Sequence, residues 1–147
     1  MSNPRVDSAL HVIKGAIQKV LGAELTTSVY VGENNGRITV EFNGKPDEKQ
    51  IKEIEELANR KIQEDVPIEV FEMDREEAEA RFGRVIYDKF PVPPHVRKLK
   101  IVHIKDWNIN CCAGEHVKST GEIGRIRIRK VRARRSRGEL EVSFEVE

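Results

Sequence analysis

Residues 125–147 read RIRIRKVRARRSRGELEVSFEVE and predict an antiparallel β-hairpin. In its second half Leu140, Val142 and Phe144 alternate with glutamate and serine, a period of two that is typical of a strand with one buried and one solvated face. Residues 125–133 form the other predicted strand, and 134–138 form the connection between them. The chain therefore ends in two neighbouring strands of a half-buried sheet.

Four further segments have the composition of strands, namely 25–31, 37–42, 66–73 and 96–104. The first two flank residues 33–36, where an Asn-Gly pair tolerates the positive φ of a hairpin turn. Before the last of them, three prolines at positions 91, 93 and 94 exclude regular structure. Most of the predicted strand pairs are antiparallel.

Two long segments have helical spacing. Residues 7–21 place apolar side chains three or four positions apart, and Gly22 is suited to end the helix. A second helix is predicted from near Pro46, and a capping box of Asp74 and Glu77 predicts a short third one. Together these elements predict an α+β fold, a two-layer sandwich of a mostly antiparallel sheet and two main helices.

The length of 147 residues is typical of one domain, which we take as 1–147. Charged residues make up 35% of the chain, a composition typical of an ion-paired soluble protein and compatible with a thermophilic source. Because the N-terminus lacks a signal peptide and no apolar run is long enough for a membrane span, we expect a cytoplasmic protein. The net charge of +1 gives no overall attraction to nucleic acid.

Cys112 and His116 are four residues apart, and their sulfur and nitrogen donors suit zinc. The alternative is that Cys112 is a small core residue. The adjacent Cys111 is not expected to pair with Cys112, since a disulfide between neighbours is strained, and we expect it to be structural.

His11 and Asp7 lie one helical turn apart on the first helix, so both side chains can reach one ion. The alternative for Asp7 is that it caps this helix, because aspartate is a preferred N-cap residue. The alternative for His11 is an ordinary histidine at the edge of the core.

Three motifs, Ser8-Ala9-Leu10-His11, Cys112-Ala113-Gly114-Glu115-His116 and Thr120-Gly121-Glu122-Ile123-Gly124, decide between these interpretations. With Phe90-Pro91-Val92-Pro93 and Asp106-Trp107-Asn108, they resemble the editing domain of alanyl-tRNA synthetases and the free-standing AlaX proteins of the archaeal short type. The resemblance covers nearly the whole chain. It implies the fold shared with the editing domain of threonyl-tRNA synthetases.

The resemblance also implies a function: a trans-editing hydrolase that removes serine or glycine from mischarged alanine tRNA by means of a zinc-bound water. His11, Cys112 and His116 match three of the family's zinc ligands. Asp7 stands where the family has a histidine, so the fourth position is left to Asp7 or to water. No residue beyond the ligands is assigned a catalytic role.

Thr26, Thr27 and Ser28 are the candidates for recognising the substrate hydroxyl, with Thr26 nearest to a family threonine that faces the substrate. The alternative is that threonines simply favour strands.

Arginines of the final hairpin have two expected roles. Arg125, Arg127 and Arg129 share a strand face and are expected to pair with the glutamates of the partner strand. Arg134, Arg135, Arg137 and Lys118 are then the candidates for contacts with tRNA phosphates.

Two other interpretations are consistent with the sequence. One is a threonyl-type editing domain that removes serine from threonine tRNA, against which the stretch 120–124 favours the alanyl branch. The other is an inactive or engineered scaffold of the same fold, which the aspartate at position 7 suggests.

Overall fold

The computed structural model describes residues 3–147 and contains, within them, three α-helices and seven strands. In chain order they are α1 (Pro4–Leu21), β1 (Thr26–Val31), β2 (Asn35–Glu41), α2 (Glu48–Glu64), β3 (Glu69–Asp74), α3 (Arg75–Phe82), β4 (Lys98–Ile104), β5 (Asn108–Cys111), β6 (Ile126–Arg134) and β7 (Glu139–Val146). The predicted α+β class is confirmed. No helix in this range has the length and apolarity that a membrane span requires.

The strands form two antiparallel sheets. The larger has the order β1-β2-β7-β6, and the smaller has the order β3-β4-β5. The predicted C-terminal hairpin is present as β6 and β7, with Ile126 opposite Val146 and Arg134 opposite Glu139. The four-residue β5 was not predicted, since so short a segment carries little periodicity of its own.

The main core lies where α1, α2 and the four-stranded sheet meet. Ile13 and Ile17 of α1, Ile54 of α2 and Leu140 and Phe144 of β7 are buried in it. Burying the apolar face of β7 under two helices explains the alternation in its sequence. A second, smaller core around Ala78, Ile86, Tyr87, Leu99 and Ile101 lies at the three-stranded sheet and α3.

Helix α1 begins three residues earlier than predicted, and Asp7 is not its N-cap. Asn3 is the N-cap, its side chain accepting a hydrogen bond from the Val6 backbone N–H, and Pro4 follows at the first helical position. Proline is favoured there because its missing N–H would have no helical partner. Asp7 lies within the first turn, where its carboxylate accepts a 3.3 Å hydrogen bond from the Asn3 backbone N–H.

Two other local predictions were wrong in detail. The φ angle of Gly36 is not positive, contrary to the prediction. Gly36 belongs to β2, where an added Cβ would lie 2.8 Å from Phe144 Cζ. Glycine is needed there for close packing, not for the turn. Asp74 occupies the N-cap of α3, but its side chain makes no capping hydrogen bond, so the predicted box with Glu77 does not form.

Candidate metal centre

Three side chains from distant parts of the chain meet beside α1. One ligand atom from each of His11, Cys112 and His116 lies within 4.8 Å of the other two. His11 comes from α1, whereas Cys112 and His116 come from the loop after β5. This separation is somewhat wider than the roughly 4 Å expected between donors to a bound zinc ion, but the donor set of one sulfur and two nitrogens is that of zinc sites.

The ring of His11 is oriented by Asn108. His11 Nδ1 lies 3.0 Å from Asn108 Oδ1, and because the amide oxygen only accepts, Nδ1 carries the proton and Nε2 keeps its lone pair. Burial lowers the pKa of His11, against the opposing influence of the Asn108 hydrogen bond and of Asp88. A neutral imidazole with an available Nε2 is the form that binds metal.

His116 has a matching arrangement. Its Nδ1 lies 3.3 Å from Ser8 Oγ, which also accepts a 3.0 Å hydrogen bond from the Val117 backbone N–H. Its Nε2 is buried and makes no hydrogen bond within residues 3–147. Burial, followed by the influence of His11 and Lys100, lowers the pKa of His116 to about 3. A buried nitrogen without a partner is costly, and a metal ion would satisfy it.

The two adjacent cysteines pack against different cores. Cys112 packs against the main core and Cys111 against the smaller one, as an extended segment requires. Burial raises the pKa of Cys112, with a backbone hydrogen bond from Gly114 opposing it, and raises the pKa of Cys111 to about 11. Neither thiol is activated by its surroundings alone, so Cys112 would need a metal to be held as the thiolate.

Asp7 lies close to this group without belonging to it. Within the described residues, the set of mutually close donor atoms comprises His11, Cys112 and His116. The Asp7 carboxylate lies against the loop that joins Cys112 to His116, because a Cβ added to Gly114 would lie 3.0 Å from Asp7 Cγ.

A cavity of about 80 Å³ is lined by two of the three donor residues, His11 and Cys112. Its polar lining includes His11, Lys14 and Asp7 of α1, Thr26 of β1, Asp88, Asn108 and Asn110. Sequence reasoning did not assign a site role to Lys14, Asp88 or Asn110. Lys14 did carry a signal, since it follows His11 by three residues and so shares its helix face.

The segment after the third helix brings Asp88 to the cavity. The Lys89 backbone N–H donates to the Thr26 carbonyl over 2.9 Å, and Asp88 Oδ1 accepts from Asn110 Nδ2 over 3.2 Å. Farther along, the Arg75 guanidinium donates to the carbonyls of Val92, Pro93 and Val96 and so holds the proline-rich loop. No periodicity in this segment signals that an acidic side chain reaches the site.

The three candidates for substrate recognition have different surroundings. Thr26 is buried and lines the cavity, where its Oγ1 accepts a hydrogen bond from Lys14 Nζ. The Thr27 hydroxyl donates to the Thr39 carbonyl over 3.3 Å, and Ser28 is exposed on β1. Only Thr26 of the three therefore borders the cavity.

The arginines of the final hairpin fall into two groups, those paired with glutamates along the strands and those exposed in the turn. Arg127 pairs with Glu147 at 3.4 Å and Arg129 with Glu145 at 3.5 Å. Arg134 is the last residue of β6 and pairs with Glu141 at 3.2 Å, so its charge is already balanced. Arg135 and Arg137 are exposed in the short turn at Arg135–Arg137, and Lys118 is exposed two residues after His116.

The chain resembles known proteins over most of this structure. Residues 99–139 match the family described as the threonyl and alanyl tRNA synthetase second additional domain. The alanine–tRNA ligase of Archaeoglobus fulgidus is 43% identical over 128 residues, and that of Methanopyrus kandleri is 38% identical over 125 residues. The alignments cover 86% and 84% of this chain but 14% and 13% of the two ligases.

Proposed function

We propose that this chain is an aminoacyl-tRNA editing hydrolase, because residues 99–139 match the threonyl and alanyl tRNA synthetase second additional domain and most of the chain is similar to alanine–tRNA ligases. Its substrate is alanine tRNA that carries serine, with glycine as a second substrate. The observation that carries this proposal is the convergence of His11, Cys112 and His116 near a small cavity that both apolar and polar side chains line.

The three donors would hold a zinc ion, with the hydrogen bonds of Asn108 and Ser8 orienting the two imidazoles. Zinc held in this way supplies a Lewis acid that polarises an ester carbonyl or lowers the pKa of a bound water. Residues that line the cavity, among them Thr26 and Asp88, would position the ester beside the metal ligands. Asp7 lines the same cavity, and its carboxylate lies beside Gly114.

The cavity has the size and chemistry of a small aminoacyl group. Its volume of about 80 Å³ is that of a few water molecules, which disfavours large side chains. The carboxylate of Asp88 suits the α-ammonium group of an aminoacyl ester. The Thr26 hydroxyl suits the serine hydroxyl, and a methyl group in that position would leave the hydrogen of the Thr26 hydroxyl without an acceptor.

The test of this proposal is deacylation of alanine tRNA charged with serine, glycine or alanine. We expect zinc-loaded protein to release serine far faster than the spontaneous reaction, glycine more slowly and alanine least. Protein stripped with a chelator should lose this activity, and added zinc should restore it. Absence of any acceleration by the zinc-loaded protein would support the inactive scaffold, and a preference for serine on threonine tRNA would support the threonyl-type domain.

The surface proposed to contact tRNA phosphates comprises Arg135 and Arg137, which are exposed in the turn, together with Lys118. Replacing Arg135 and Arg137 with glutamine should flatten the dependence of log Kd on log salt by about 1.4 to 1.8, since each phosphate contact contributes roughly 0.7 to 0.9. The measurement is a titration of tRNA binding at several salt concentrations.

The matched control replaces Arg127 and Arg129, which have carboxylate partners at 3.4 Å and 3.5 Å, with glutamine. These pairs are exposed, so their loss should change the salt slope little and stability by less than about 1 kcal/mol. A slope that flattens in the control and not in the turn variant would assign RNA contact to the strand face.

A further inference from the structure

Lys14 is a charged side chain inside the cavity. It follows His11 by one turn of α1, is only 4% exposed and lines the cavity together with Thr26. Lysine is almost never buried to this extent unless it has a partner. The partner here is Thr26, whose Oγ1 accepts a hydrogen bond from Lys14 Nζ.

The charge on Lys14 persists near neutral pH. Burial lowers the pKa of Lys14 to about 8, while the negative charges of Asp88 and Glu24 oppose the decrease. At pH 7 the side chain is therefore mainly the ammonium ion. An ammonium group has three donors and no lone pair, so it cannot accept a hydrogen bond.

This asymmetry determines what the Thr26 hydroxyl does. A hydroxyl usually rotates to suit its neighbours, donating or accepting as required. Beside Lys14 the oxygen has to accept, and its single hydrogen has to point elsewhere. In the part of the chain that the structure describes, Thr26 Oγ1 accepts a hydrogen bond from Lys14 and donates to no side chain.

We propose, building on the editing function above, that Lys14 is a positioning residue for substrate selection, because it makes Thr26 an obligatory donor toward the substrate side chain. A serine hydroxyl oxygen accepts that hydrogen bond. The hydrogen of glycine and the methyl group of alanine cannot accept it. Lys14 thereby converts an adaptable hydroxyl into a group that selects for an acceptor.

The test compares Lys14→Met with the unmodified chain on serine-charged and glycine-charged alanine tRNA. Methionine keeps most of the length and removes the donor. We expect kcat/KM for serine to fall about tenfold, the order of one hydrogen bond, and kcat/KM for glycine to fall less. The ratio of serine to glycine hydrolysis should therefore decrease. Equal losses for the two substrates would overturn the proposal, because they would indicate a structural role.

A double-mutant cycle with Thr26→Val separates this role from general damage. If Lys14 acts through the Thr26 hydroxyl, Lys14→Met should leave the serine to glycine ratio unchanged once Thr26 is valine. A ratio that falls by the same factor in both backgrounds would contradict the proposal. Hydrolysis of either tRNA by the unmodified chain tests the editing function itself, and its absence would refute both proposals. Zinc content and thermal melting of each variant report whether the fold is intact.

Discussion

Replacing Cys112 with alanine is expected to abolish zinc binding and to lower kcat/KM for serine-charged alanine tRNA by about 10³-fold, since a Lewis acid contributes several kcal/mol to such a reaction. Cys112 supplies the one sulfur in a donor group whose other members are two histidine nitrogens. Zinc per chain by elemental analysis and initial rates of deacylation are the measurements. His116→Ala should behave similarly, because its buried Nε2 is the other donor from the same loop.

Cys111 provides the matched control. It is the adjacent residue and has the same side chain, but it packs against the smaller core. Cys111→Ala should retain zinc, with a modest loss of stability from the smaller side chain. Because Cys111 also lines the cavity, some loss of activity is expected, but far less than the loss for Cys112→Ala. If Cys111→Ala loses zinc as Cys112→Ala does, the assignment of the donor sulfur is wrong.

Thermal melting gives a readout that does not depend on activity. A ligand that binds only the folded state raises its stability in proportion to the logarithm of its concentration. Added zinc should therefore raise the melting temperature of the unmodified chain and of the Cys111→Ala variant. It should leave that of Cys112→Ala almost unchanged. In the presence of a chelator, all three proteins should melt within a few degrees of one another.

The predictability of this fold depended on how local each signal was. The alternation around Phe144 predicted β7 because a period of two is visible within one segment. The turn predicted at Gly36 was wrong, because glycine is required there by its close contact with Phe144, more than a hundred residues away in sequence. The Asn3 cap was missed because the aspartate at position 7 is an equally good capping residue by type.

The residues of the candidate site also differ in how far a local sequence signal could identify them. Cys112 and His116 are neighbours in sequence, so their spacing alone suggested a metal. His11 joined them only through the family resemblance, since no periodicity connects α1 with a loop about a hundred residues later. Asp88 gave no signal at all, because its position is fixed by tertiary hydrogen bonds, one from Asn110 to its carboxylate and one from the Lys89 backbone N–H to Thr26. The burial of Lys14 likewise follows from tertiary packing, not from its place on the helix.

Gly15→Ala is expected to destabilise the protein by about 2 kcal/mol, although alanine is the better helix former by roughly 1 kcal/mol. Gly15 lies in the middle of α1 under the indole of Trp107, and an added Cβ would be only 2.3 Å from Trp107 Nε1. The indole cannot move easily, because Nε1 donates to the Val12 carbonyl over 2.8 Å and Lys61 Nζ lies 4.8 Å from the ring centroid. The measurement is the free energy of unfolding in urea.

The same substitution should weaken zinc binding about tenfold, since Asn108, which orients His11, directly follows Trp107. Competition with a chromogenic chelator measures the zinc affinity.

The steric cause is isolated by repeating Gly15→Ala in a Trp107→Ala background. With the indole absent the clash disappears, and only helix propensity remains, so the substitution should then stabilise the protein by up to about 1 kcal/mol. The sign of the effect should therefore reverse between the two backgrounds. An equal loss of stability in both would show that Gly15 is required for a reason other than its contact with Trp107.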